Sequence, residues 1–107
     1  MTNTSKYTLS RGIVKACAGI VESVDAEPYR TYVIEAGRVV GVGYGLEEAA
    51  QKERAKLVEA VKLNLVNRYE YPFESLARKY GLAVSYRTFR REKQKYCYEL
   101  ARLCGFA

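Results

Sequence analysis

The stretch from Leu46 to Tyr69 constrains the fold more than any other part of this chain. Leu46, Ala50, Leu57, Val58, Val61, Leu65 and Val66 recur at helical spacing and supply one apolar face. Ala, Leu, Glu, Lys and Gln dominate the rest, all strong helix formers. Glu47 and Glu48 suit the positive end of a helix dipole, and Pro72 forbids simple continuation. A long amphipathic helix is therefore expected here, and the other segments must be able to pack on it.

Three of the remaining segments also read as helices. Thr8 or Ser10 can cap a first helix from about Leu9 to Ser23. Its stripe is Leu9, Ile13, Val14, Cys17, Ile20, Val21 and Val24, and the helix should stop before Pro28. Gly12 and Gly19 each weaken it by about 1 kcal/mol, so it needs tertiary packing. Phe73 to Tyr80 follows Pro72, and Gly81 suits a left-handed cap. Leu82, Ala83 and Val84 bridge to Ser85, the N-cap of a last helix that runs to about Cys104 before Gly105.

Residues 29–45 are ambiguous. Thr31-Tyr32-Val33-Ile34 and Arg38-Val39-Val40 are β-prone, with Ala36-Gly37 as a turn between them. A small hairpin over 31–43 is one outcome. A glycine-rich connection through Gly41, Gly43 and Gly45 is the other. The expected fold is all-α, with an N-terminal helix and linker over 1–45 and a helical module over 46–107.

Composition removes several functional classes. The chain of 107 residues contains no His and one Asp, Asp25. A His-based triad, a His zinc site and a multi-Asp metal site are thereby excluded. Cys17, Cys97 and Cys104 form no CxxC, which argues against a disulfide framework and for reduced thiols in a cytoplasmic protein. No apolar run approaches the roughly 20 residues of a membrane span, and Met1 to Arg11 lacks a signal-peptide core. Neither an enzymatic activity nor a cofactor is expected.

Charge is placed unevenly. Residues 1–67 hold 9 basic and 8 acidic side chains, whereas residues 68–107 hold 9 basic and 4 acidic. The net +6 of the chain thus lies almost wholly in its last 40 residues. Within them, Phe73 to Lys95 has the pattern of a helix-turn-helix: a small Ala77, Gly81 four residues on, and apolar Leu76, Tyr80, Leu82, Val84 and Phe89. On the last helix, Phe89, Tyr96, Cys97, Leu100, Leu103 and Cys104 converge on one side. Arg87, Thr88, Arg91, Gln94, Lys95, Tyr98 and Arg102 gather opposite, flanked by Arg90 and Lys93. Arg and Gln read base edges, and Lys and Thr commonly hold phosphates. The candidate DNA-binding set is Arg87, Thr88, Arg90, Arg91, Gln94, Lys95 and Tyr98, and the expected partner is double-stranded DNA.

Leu76-Ala77-Arg78-Lys79-Tyr80-Gly81, Val84-Ser85-Tyr86-Arg87-Thr88-Phe89 and Arg91-Glu92-Lys93-Gln94-Lys95-Tyr96-Cys97 resemble the C-terminal part of phage-encoded transcriptional regulators of the RinA type. Those proteins resemble region 4 of sigma factors. The resemblance spans residues 46–107. It implies a small DNA-binding activator of transcription encoded by a prophage or mobile element.

Other signals carry less. Gly41-Val42-Gly43-Tyr44-Gly45 before Leu46 looks like a phosphate loop, but a dinucleotide fingerprint needs Gly at position 46 and a P-loop needs Gly-Lys-Ser/Thr. Ten tyrosines could stack on bases, and more often such rings pack at a core edge. A different class is a protein–protein adaptor that docks on RNA polymerase or a phage assembly component, its basic helix merely solvated. The wide apolar face of residues 9–24, together with the long helix, leads to the expectation of a homodimer.

Overall fold

Ser10 opens the first helix, its hydroxyl accepting a hydrogen bond from the Ile13 N–H at 3.3 Å. In this computed structural model, residues 8–23 and 25–106 are described, so the stripe member Val24 lies outside the described residues. Five α-helices follow in order: α1 Arg11–Glu22, α2 Tyr29–Ala36, α3 Glu48–Val66, α4 Phe73–Tyr80 and α5 Tyr86–Leu103. A short 3-10 turn, Gly37–Val39, continues α2, and there is no strand among the described residues. The chain is all-α.

The hairpin alternative is corrected by α2. Thr31 to Ile34, β-prone as a tetrapeptide, is helical. The Glu27 carboxylate accepts from the Thr31 N–H at 3.1 Å and from its hydroxyl at 2.6 Å, tying down the first turn. Those bonds, the hydroxyl first, hold the Glu27 carboxyl below the ordinary range. Val33 and Ala36, three apart, become fully buried on one side. Buried contact thus outweighs strand propensity, which differs from helix propensity by little per residue.

The other helices begin and end where their caps stand. Pro72 precedes α4, and Gly81 closes it in the left-handed region at φ 63° and ψ 44°. The Leu82 N–H then donates to the Ala77 carbonyl at 3.0 Å. Ser85 caps α5 by accepting from the Thr88 N–H at 3.1 Å. Ser85→Ala should cost about 1 kcal/mol, read as a lower denaturant midpoint with an unchanged slope. A midpoint equal to wild type would mean that the serine does not hold the α5 terminus.

One core serves the described residues. Cys17 and Val21 of α1, Val33 and Ala36 of α2 and Val40 beyond the turn meet Leu57, Ala60, Val61 and Leu65 of α3. Leu76 of α4 joins them, as do Phe89, Tyr96, Cys97, Leu100 and Ala101 of α5. The segments before and after Leu46 are therefore built around the same interior. The radius of gyration of 13.5 Å matches the roughly 13 Å of a compact chain this long. Leu9, Ile13, Val14 and Ile20 of the α1 stripe pack half-buried against this core, while Cys17 is fully buried with its thiol donating to the Cys97 carbonyl at 3.6 Å. Burial pushes the Cys17 thiol up to about 11 and the Cys97 thiol up to about 12, so neither is a reactive thiolate near neutrality.

Candidate nucleic-acid interface

α5 has two unlike sides because its sequence does. Phe89, Tyr96, Cys97, Leu100 and Ala101 recur at three- and four-residue steps and are buried. Arg87, Arg91, Gln94 and Tyr98 recur at the same steps on the other side, where the two arginines are exposed and the other two half-buried. Residues 81–85 connect α4 to this helix. The junction is sealed by aromatic rings: Phe73 of α4 lies 5.6 Å from Tyr86 and 5.1 Å from Phe89, centroid to centroid. The geometry fixes α5 at its start and leaves its outward face open.

The seven expected residues divide into four groups. Arg87 and Arg90 are exposed, with no carboxylate in ion-pair range among the described residues. Arg91 is exposed and only loosely paired, its Nε 3.8 Å from Glu92. Gln94 and Tyr98 complete the outward stripe. Thr88 and Lys95 are engaged internally. The Thr88 hydroxyl accepts from Ser85 at 3.2 Å as part of the cap. The Lys95 ammonium sits 3.1 Å from Glu92 with its side chain only 18% exposed. Lys95 was expected on phosphate, but its charge is instead matched inside the protein. Arg102, further along the same face, is held by Glu99 through two bonds of 2.9 and 2.6 Å.

Sequence reasoning missed the residue that organises this region. Glu92 is 3% exposed, and besides Lys95 it accepts from the Gly41 N–H at 2.8 Å. Its position signals this role, since it stands three residues after Phe89 and four before Tyr96, on the inward side. Asn64, buried on α3, was also missed. Its amide donates to the Tyr71 carbonyl at 2.8 Å and its oxygen accepts from Lys93 at 2.7 Å, joining α3 to α5 and to the loop before α4.

The glycine loop answers the phosphate question directly. Gly41 has φ +70°, and a Cβ there would meet Arg54 Cγ at 2.8 Å. Arg54 itself braces the loop, donating to the Val40 and Arg38 carbonyls at 2.9 and 2.8 Å. The Gly41 N–H that a phosphate would require already binds the Glu92 carboxylate. The loop is thus a structural joint between the α2 region and α5. The tyrosines divide too: Tyr96 is in the core with its hydroxyl on the Val33 carbonyl at 3.1 Å, whereas Tyr69 and Tyr86 are exposed. No group of three or more potential metal ligands stands together among the described residues, and no helix there is long and apolar enough to cross a membrane.

With this geometry in hand, the chain was compared with protein families, with curated proteins and with solved structures. None of the three comparisons finds a match.

Proposed function

We propose that this chain is a sequence-specific DNA-binding regulator of transcription, reading double-stranded DNA with the outward face of α5. The observation that carries the reading is the stripe of Arg87, Arg91, Gln94 and Tyr98, with Arg87 and the neighbouring Arg90 lacking a carboxylate partner among the described residues. Cations left unmatched by their own chain are available to an anionic one. Arg87 and Arg91 stand in the first turns of α5, the part of a recognition helix that usually meets base edges. The exposed Arg78 and Lys79 at the end of α4 can meet phosphates. Cytoplasm is the fitting compartment for such a protein with three free cysteines. The reading assigns it no catalysis and no cofactor.

The deciding measurement is fluorescence anisotropy with mixed-sequence duplex at two salt concentrations. Affinity should fall by about 0.9 log units per log unit of salt for each phosphate neutralised. Salt-independent binding, or none at micromolar protein, would sink the proposal. Selection from a random duplex pool then tests readout: Arg91→Ala should lose about 1–3 kcal/mol of discrimination at one position. An unchanged preference would remove Arg91 from the reading set.

The adaptor reading retains one supporting observation. Ile34, Val42 and Leu46 are 64, 62 and 92% exposed, all in the α2–α3 region and none on α5. Large apolar side chains in water suit a protein partner such as RNA polymerase. In that case association would persist at high salt.

A further inference from the structure

A cleft of about 510 Å³ opens between α1, the α3–α4 connection and α5. Its volume lies within the range of small-molecule sites. Three cations line it: Arg68 just beyond α3, and Arg90 and Lys93 of α5. One carboxylate, Glu74 in the first turn of α4, lines it as well, so the lining is cationic in balance. Apolar and aromatic walls complete it, with Leu9 and Val14 from α1, Phe73 from α4, and Tyr69 and Tyr86 near the exposed rim.

Lys93 is the residue that needs explaining. It is half-buried, and its ammonium has one hydrogen-bond partner, the neutral Asn64 oxygen. An ammonium carries three donors, and no carboxylate lies within ion-pair range of it among the described residues. Burying such a charge without an opposite one is unfavourable. Burial holds Lys93 below the ordinary lysine range, with Arg68 and Arg90 pushing the same way and Cys97 opposing them. A neutral donor would satisfy Asn64 as well, so the cation is more than the α3–α5 joint requires. Arg90, with no carboxylate in ion-pair range among the described residues, adds a second charge on the same wall, and Arg68 donates to the Tyr69 hydroxyl at 3.1 Å with its guanidinium 5.1 Å from the Tyr69 ring centroid.

We propose that this cleft is a binding site for a small aromatic anion, with Lys93, Arg90 and Arg68 receiving the anionic group and the Phe73, Tyr69 and Tyr86 side chains flanking the ring. The cleft would bind such an anion whether or not α5 meets DNA. The anionic group can be a phosphate ester or a carboxylate, since both accept charge-assisted hydrogen bonds from this set.

The test is a ¹⁵N–¹H NMR titration of the full chain with phenyl phosphate, benzoate, inorganic phosphate and the neutral benzyl alcohol. Phenyl phosphate or benzoate should shift the amides of Arg68 and of residues 89–94 saturably, and the stronger of the two identifies the anionic group. Inorganic phosphate and benzyl alcohol should bind at least about tenfold more weakly, each lacking half of the recognised chemistry. Lys93→Met should weaken the preferred aromatic anion by about tenfold or more at unchanged helical circular dichroism. Should that variant fail to fold, Arg90→Gln, altering an exposed side chain, should show a loss of several-fold. No saturable shift up to about 10 mM of either aromatic anion would overturn the proposal. So would equal binding of benzyl alcohol, or undiminished binding by the folded variants.

Discussion

Glu92→Ala should destabilise the protein by about 3–5 kcal/mol, the usual cost of removing one partner from a buried ion pair. The carboxylate is 3% exposed and serves two donors, the Lys95 ammonium at 3.1 Å and the Gly41 N–H at 2.8 Å. Its removal leaves a poorly solvated cation and an unsatisfied backbone donor, and opens a void at a buried position. Domains of this size are stable by about 5–15 kcal/mol, so the variant should be marginal at best. Urea denaturation followed by circular dichroism checks it. Glu92→Gln should fall between the two, because its amide oxygen can still accept from Gly41 while the charge is gone. A midpoint for Glu92→Ala equal to wild type would show that the buried carboxylate contributes nothing net.

Tyr96→Ala should cost about 3–5 kcal/mol, as for other large aromatics truncated in a core. Tyr96 is fully buried, and its hydroxyl reaches from α5 to the Val33 carbonyl on α2 at 3.1 Å. Burial holds that hydroxyl above the ordinary tyrosine range, so it stays a neutral donor throughout the working pH span. Tyr96→Phe keeps the ring and loses only the bond, for about 1 kcal/mol. The gap between the two variants separates packing from hydrogen bonding. If the phenylalanine variant lost as much as the alanine one, the bond to α2, and not the ring, would be the main contribution.

The helices were legible wherever one apolar stripe met a recognisable cap. Ser10, Gly81 and Ser85 all stand where the chain itself marks the ends of α1, α4 and α5. α2 was illegible because its tetrapeptide favours a strand in isolation, and its helix is held by the Glu27 bonds to Thr31 together with contacts more than 60 residues away, such as Tyr96 on Val33. At the candidate interface, the outward stripe of Arg87, Arg91, Gln94 and Tyr98 followed from periodicity. Lys95 did not. It stands beside Gln94 in sequence, yet one step around the helix brings it to Glu92, and a carboxylate three residues away was counted only as charge. Charge totals over a helix cannot tell a cation facing solvent from one matched within its own chain.

The shared interior has a consequence for dissection. Cys17 and Val21 of α1 and Val33 and Val40 of the α2 region share one buried cluster with the α3, α4 and α5 residues. A fragment starting at Leu46 would therefore bare Leu57, Val61, Cys97 and Leu100 to water and leave Glu92 without the Gly41 amide. The pair α4 and α5 thus shares its interior with the residues before Leu46. Residues 46–107 alone should therefore melt at lower denaturant than the full chain, because the partners that α1 and the α2 region supply to α3 and α5 would be missing.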